Sequence, residues 1–162
     1  HTQAKMMYDN ENLYIIFKVD DQYVKAVRDS YQSEVSRDSC AEFFFTPGMD
    51  IAEGYFNVEA NCSGTLLLRH QKSRDVEQVD VADEDLDKIE IAHSMPGLVA
   101  EEITEPTTWT LEYRLPFEIF LLSTQRQYDE YRPALKNRLM SPTSSMIVKA
   151  KILPMPVMVS SI

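Results

Sequence analysis

The chain has 162 residues, 44% of them hydrophobic and 26% charged, which is enough for one domain with a real core and short for two. Its 26 acidic and 16 basic side chains give a formal charge of −10, a balance that repels phosphate backbones and anionic lipid, so neither nucleic acid nor a membrane is expected as a partner. No apolar run approaches the roughly 20 residues that cross a bilayer, and no basic-then-apolar leader opens the sequence.

The first unit, AKMMYDNENLYIIFKVDD, holds two apolar runs separated by Asp9-Asn10-Glu11-Asn12, residues whose side chains cap their own backbone in tight turns. It reads as a β-hairpin in which Leu13, Ile15, Phe17 and Val19 form a wholly apolar face. Residues 22–37 carry no strong period and read as an irregular connection with a short helix or strand. Ser39 to Thr46 and Tyr55 to Asn61 are two strands joined by a loop holding Pro47, Gly48 and Gly54, and Ser63-Gly64 turns into a third strand, TLLLRH. The acidic stretch SRDVEQVDVADEDLDKIE spaces Val76, Val79, Leu86 and Ile89 as a weakly amphipathic helix would. Residues 89–93 read as a further strand and Pro96 to Pro106 as a loop. TTWTLEYRLPFEIF then puts Trp109, Leu111, Tyr113 and Leu115 on one face of a strand that Pro116 ends, with a short helix after it. Tyr128 to Leu139 reads as a polar loop, and SSMIVKAKILPMPVMVSSI offers one or two strands broken by Pro154 and Pro156. Many short strands with regular turn signals and one or two short helices predict an all-β antiparallel sandwich, jelly-roll or immunoglobulin-like, spanning 1–162 as one domain.

Pleat alternation also sorts the chemistry. If Phe56, Val58, Ala60 and Cys62 point into the core, Tyr55, Asn57, Glu59 and Asn61 share the other face, and Glu42 neighbours them across the strand pair. Carboxylates and amides on a rigid sheet can chelate vicinal sugar hydroxyls, which both donate and accept, while an aromatic ring stacks on the apolar side of the pyranose. The same pattern also fits an ordinary solvated sheet face. Cys40 and Cys62 belong to no Cys-x-x-Cys pair or Cys/His cluster and read as buried small apolar residues rather than a disulfide or a zinc site. His1, His70 and His93 are scattered, with no serine elbow, phosphate loop or His-Glu-x-x-His helix beside them. Paired carboxylates such as Glu42 and Glu59 arise readily in an acidic antiparallel protein, so no catalytic dyad is assigned. Asp9, Asn12 and Asp20, with Asn10 and Asp21 nearby, gather hard oxygen ligands of the kind a structural calcium takes, although turn chemistry explains them equally well. Asn61-Cys62-Ser63 satisfies the glycosylation sequon.

Taken in order and spacing, YDNENLYIIFKV, RDSCAEFFF, GYFNVEANCSGTLLL, KSR and WTLEYRLPFEIF resemble the family-nine-like carbohydrate-binding modules, from about Ala4 to Phe120. The resemblance implies a noncatalytic β-sandwich that binds a mono- or oligosaccharide, in some members with structural calcium. It also implies attachment to glycoside hydrolases exported from the cytoplasm, hence a secreted, periplasmic or cell-surface location. On this reading Glu42, Asn57, Glu59 and Asn61 hold hydroxyls, Tyr55 stacks, and Arg37 and Arg74 of KSR are further hydrogen-bonding candidates. Two departures stand out. The family commonly has a tryptophan where this chain has Ser36, and the expected Asn-Phe-Tyr-Lys-Cys strand and Trp-Ser-Pro element do not occur between Gln125 and Ile162. Trp109 reads as core, not as the missing platform. The alternative is a sandwich that has lost its ligand and serves as a structural or interaction domain.

Overall fold

One carboxylate sets the first strand pairing. Asp9 Oδ1 accepts hydrogen bonds from the backbone N–H groups of Glu11 (2.8 Å) and Asn12 (2.7 Å), closing the turn, and the Tyr14 hydroxyl donates to Asp9 Oδ2 at 2.8 Å. The turn joins β1 (Thr2–Tyr8) to β2 (Asn12–Asp21), antiparallel from Tyr8 opposite Leu13 to Thr2 opposite Val19. The computed structural model of the chain describes residues 1–46, 52, 54–120 and 147–152. Pro47, Gly48, the 128–139 loop and the last two prolines lie outside the described residues.

The elements after β2 are β3 (Val24–Ala26), a 3-10 turn at Val35–Arg37, β4 (Cys40–Thr46), β5 (Tyr55–Asn61), β6 (Leu66–Gln71) and β7 (Val79–Asp80). There follow α1 (Asp83–Leu86), β8 (Glu90–His93), β9 (Val99–Ile103), β10 (Thr107–Pro116) and β11 (Ile147–Ile152). One sheet has the strand order β1-β2-β10-β8 and the second β11-β4-β5-β6-β7, while β3 and β9 make a separate two-stranded ribbon. The antiparallel β-sandwich read from the sequence is therefore the observed fold.

Its core forms where the predicted apolar faces meet. Leu13, Ile15, Phe17 and Val19 of β2 and Trp109, Leu111, Tyr113 and Leu115 of β10 come from one sheet, and Phe43, Phe45, Phe56, Val58, Leu66 and Leu68 from the other, in a single buried cluster. Pro116 closes β10, and residues 117–120 turn helical and place Phe120 on the second sheet, its ring centroid 4.8 Å from Phe45 and 4.9 Å from Phe56. Edge-to-face packing of this kind adds to what area burial alone supplies. Cys40 and Cys62 are both buried and free. They sit on opposite faces of the sheet, Cys62 with the core and Cys40 with Val35 and Leu67, and the surrounding burial pushes the Cys62 thiol up to about 11.

Two expectations are corrected. The helix read over the acidic stretch is only the single turn α1, preceded by the short β7; Leu86 and Ile89 are buried, but Val76 at the supposed same face is exposed. The loop read over 96–106 contains β9, which pairs with β3 through Val24 opposite Ile103 and Ala26 opposite Val99. β9 buries only Val99 fully, so its sequence carries no alternation that would reveal it.

Candidate functional site

The outer face of the β4-β5-β6-β7 meander is built by pleat parity. Antiparallel register sets Glu42 opposite Glu59 and Glu59 opposite Leu67, Phe44 opposite Asn57, Asn57 opposite Arg69, and Arg69 opposite Asp80. Directly opposite residues in such a pair lie on the same face with Cβ atoms about 5 Å apart. One row thus carries an aromatic ring, an amide, a guanidinium and a carboxylate across four strands, with the two glutamates in the next row and Tyr55 opposite Gln71 on the far side. Gly54 sets the entry to β5. Its φ is +94°, and a Cβ there would stand 2.6 Å from the Gln71 carbonyl oxygen, so only glycine lets the loop approach β6 this closely.

The four residues predicted to share this face do share it, but the face is less wetted than alternation alone implies. Glu42 and Asn57 are only 4% and 6% exposed, and Asn61 is fully buried. At the Asn61 end the cause is visible: the 3-10 turn folds over the sheet and packs Val35 on Cys40 and Leu67. A period-two pattern assigns a side chain to a face; it does not say what covers that face.

Asn61 belongs to a structural hub. Its Nδ2 donates to Asp38 Oδ2 (2.9 Å) and to the Arg28 carbonyl (3.0 Å), and its Oδ1 accepts from the backbone N–H groups of Ser63 (3.2 Å) and Thr65 (2.9 Å). Asp38, itself 2% exposed, also accepts from the N–H groups of Val27 and Arg28 and from the Arg28 guanidinium at 2.9 Å. Both ends of the Asn61 amide are used, which removes it from the set that can hold a ligand and denies its sequon to a glycosyl group in the folded chain.

The remaining members form a connected polar array. Asn57 Nδ2 donates to Glu59 Oε1 at 2.7 Å. Arg69 lies 3.0 Å from Asp80 through Nε and donates from its terminal nitrogen to Gln78 Oε1 at 3.3 Å. Gln78 donates to Gln71 Oε1 at 2.9 Å, and Gln71 Nε2 hydrogen-bonds the Tyr55 hydroxyl. Tyr55 meets Phe44 edge-on, with ring centroids 5.9 Å apart. The electrostatics are acidic: burial first, then the Glu59 and Glu42 carboxylates, push the Cys40 thiol well above its ordinary range. Fixed acceptors, fixed donors and an aromatic edge on one rigid sheet suit a polyhydroxylated ligand.

Phe44, Arg69, Gln71 and Gln78 were not singled out from the sequence. The signal for three of them was present: with Ser63-Gly64 as the turn, antiparallel register brings Arg69 and Gln71 opposite Asn57 and Tyr55, and Phe44 alternates with Phe43 and Phe45. Arg37 and Arg74 stand apart. Arg37 is exposed and pairs with Glu34 at 3.1 Å, Arg74 is exposed beside Asp75 at 3.8 Å, and neither bonds a member of the array among the described residues. The proposed calcium ligands do not converge. Asp9 is occupied by its turn, Asn12 Oδ1 accepts from Arg114 at 2.8 Å, and Asp20 accepts from Thr108 at 2.8 Å. Asn12 and Asp20 are eight residues apart on an extended strand, about 26 Å at 3.3 Å per residue, so they cannot ligate one ion. No group of three metal-ligating side chains occurs among the described residues.

Away from this face, a recess of about 650 Å³ opens where β2 begins and β10 ends, walled by Glu11, Asp87, Lys88, Glu90, Arg114 and Glu118. Its cations are internally satisfied, Arg114 by Glu90 at 2.6 Å and by Asn12, Lys88 by Asp85 at 3.0 Å and Glu118 at 3.4 Å. The Arg114 hydrogen bond holds the Glu90 carboxyl below its ordinary range. A ligand there would have to displace ion pairs already made.

The sequence matches carbohydrate-binding family 9 over residues 2–137. A Bacteroides uniformis protein assigned as carbohydrate-binding is 26% identical, with a TM-score of 0.68 over 75% of this chain and 54% of that one. A family 9 carbohydrate-binding module from Caldicellulosiruptor kristjanssonii, solved in complex with glucose, is 15% identical, with a TM-score of 0.46 over 71% of this chain and 49% of that one. The chain thus spans about half the length of these solved structures. A comparison with curated proteins finds no match.

Proposed function

From the premise that this chain belongs to carbohydrate-binding family 9, we propose that it is a noncatalytic module that binds a mono- or oligosaccharide on the outer face of β4, β5 and β6. The supporting observation is the cross-strand row Phe44, Asn57, Arg69 and Asp80, flanked by Glu42 and Glu59. Hydrogen bonding to sugar hydroxyls needs acceptors and donors held at fixed spacing, and a β-sheet fixes them without ordering cost at the moment of binding. Glu59 and Asn57 supply acceptors, Arg69 and Tyr55 supply donors, and the Phe44–Tyr55 edge supplies apolar contact in a chain with Ser36 where relatives carry tryptophan. The biological setting we propose is polysaccharide breakdown outside the cytoplasm, in company with a glycoside hydrolase.

Isothermal titration of the protein with a panel of neutral monosaccharides and oligosaccharides tests the reading. At least one sugar binds, and Glu59→Ala weakens it about tenfold, the equivalent of one hydrogen bond to a charged acceptor. Absence of binding across the panel refutes it. The competing reading, a sandwich kept as a structural or interaction domain, is favoured by the consumption of Asn61 in the Asp38 hub. It predicts that no sugar of the panel binds.

A further inference from the structure

Asn57 and Tyr55 are two neighbouring members of the outer face that each keep polar capacity open. The Asn57 amide has a fixed orientation: its Nδ2 donates to Glu59 Oε1 at 2.7 Å, and the reversed amide would set oxygen against carboxylate. Its Oδ1 is then turned away from Glu59, buried and without a donor among the described residues. Buried carbonyl oxygens are seldom left this way, and on a polar sheet face, unlike the Tyr113 hydroxyl left unpartnered in the apolar core, such an oxygen is an acceptor that a ligand hydroxyl can engage. Tyr55 has the complementary opening. Its hydroxyl oxygen accepts from Gln71 Nε2, and Gln71 is itself held by Gln78 at 2.9 Å, but no acceptor among the described residues takes the Tyr55 proton.

We infer that ligand choice at this face is set by Asn57 Oδ1, which accepts, and the Tyr55 hydroxyl, which donates, so that the module selects a neutral sugar through two neighbouring hydroxyls of opposite hydrogen-bonding role. The inference rests on the reading of the face as a sugar site. The two side chains are next neighbours on one face of β5, about 7 Å apart along the strand, a span that hydroxyls on adjacent ring carbons bridge from above. The nearby guanidinium of Arg69 is directed to Asp80 and Gln78, and a Glu59 carboxylate is bound to the Asn57 amide. A uronate would bring a second negative charge against Glu59, and the guanidinium opposite Asn57, that of Arg69, is already paired with the Asp80 carboxylate at 3.0 Å, so acidic sugars bind more weakly than neutral ones.

The test titrates the protein with the methyl glycosides of glucose, galactose, mannose and xylose and with glucuronate, then with the monodeoxy series of the tightest neutral ligand. With the native chain, one deoxy position costs about tenfold in affinity through loss of the hydrogen bond to Asn57, and an adjacent position costs a similar factor through Tyr55. In Asn57→Ala the first loss shrinks to less than about twofold while the second persists, and in Tyr55→Phe the pattern is reversed. Asn57→Leu, which keeps the side-chain volume, replaces Asn57→Ala if the smaller residue impairs folding. Deoxy losses that are the same in native and variant proteins overturn the assignment while sugar binding stands, as does glucuronate bound as tightly as glucose. If the native chain binds none of the neutral glycosides, both the assignment and the sugar reading fail.

Discussion

Asn57 and Asn61 lie on the same face of the same strand and are both buried, yet the structure predicts opposite outcomes when each loses its amide. In Asn61→Ala four hydrogen bonds disappear. Two of the partners keep other bonds: the Arg28 carbonyl still accepts from Thr65 Oγ1 at 2.7 Å, and Asp38 keeps its bonds to Val27 and Arg28. The other two, the N–H groups of Ser63 and Thr65, lose their Asn61 acceptor in a half-buried turn. At roughly 1 to 3 kcal/mol for each unsatisfied buried group, discounted because the turn is half exposed, the cost is about 3 kcal/mol. With a urea slope near 2 kcal/mol per molar, the midpoint falls by about 1.5 M. Asn57→Leu removes one hydrogen bond but also an acceptor that had no donor, so its midpoint moves by less than about 0.5 M. Equilibrium urea unfolding of both variants, followed by tryptophan fluorescence from the buried Trp109, measures the difference. If the two midpoints shift equally, burial rather than hydrogen-bond satisfaction governs these positions and the separation of the face into a hub and a ligand row is wrong.

Two further predictions follow from the titrating groups. Both thiols are held in the protonated form, Cys62 up to about 11 by burial and Cys40 well above its ordinary range by burial and the neighbouring glutamates. An aromatic disulfide reagent at pH 8 therefore modifies neither cysteine on the timescale of minutes in native protein and both in urea; rapid native labelling would contradict their placement. At the first turn, backbone N–H groups and the Tyr14 hydroxyl lower the Asp9 pKa below its ordinary 3.8, and the bond to Asp9 raises Tyr14 above its ordinary 10.0. The depressed carboxyl contributes stability above about pH 3.8 that is lost as pH falls through its folded value, and the raised phenol contributes below about pH 10 and loses it as pH rises. Carboxyl and ring NMR titrations read both, and Asp9→Asn returns Tyr14 toward 10.0; an Asp9 that titrates at or above 3.8 refutes the turn geometry.

Much of the architecture was legible in one dimension because a strand that buries one face must alternate. The β1–β2 hairpin, the β4-β5-β6 meander and β10 each carry four or so apolar residues at period two between turn residues, and each formed as expected. β9 escaped because Val99 is its one fully buried residue, Val24 and Ala26 of β3 supplying the rest of the ribbon's packing on the core, and the spurious helix arose because three or four apolar residues at mixed spacing satisfy a helical period by chance. The proposed calcium ligands failed to converge for a related reason: turn carboxylates cluster in sequence at strand ends, and an extended chain then carries those ends far apart.

The sequence by itself determined the sheet faces, the interior position of Trp109 and Cys62, and the grouping of Tyr55, Asn57, Glu59 and Asn61 on one side, since each depends only on pleat parity and the segregation of apolar side chains. Tertiary structure alone decided that the 3-10 turn covers the Asn61 end of that group and buries Cys40 there, and that Asp38 from a distant loop takes up Asn61 while the Asn57 carbonyl stays open. Those outcomes depend on which backbone and side-chain donors arrive from residues tens of positions away, and local alternation carries no information about hydrogen bonds made across the fold.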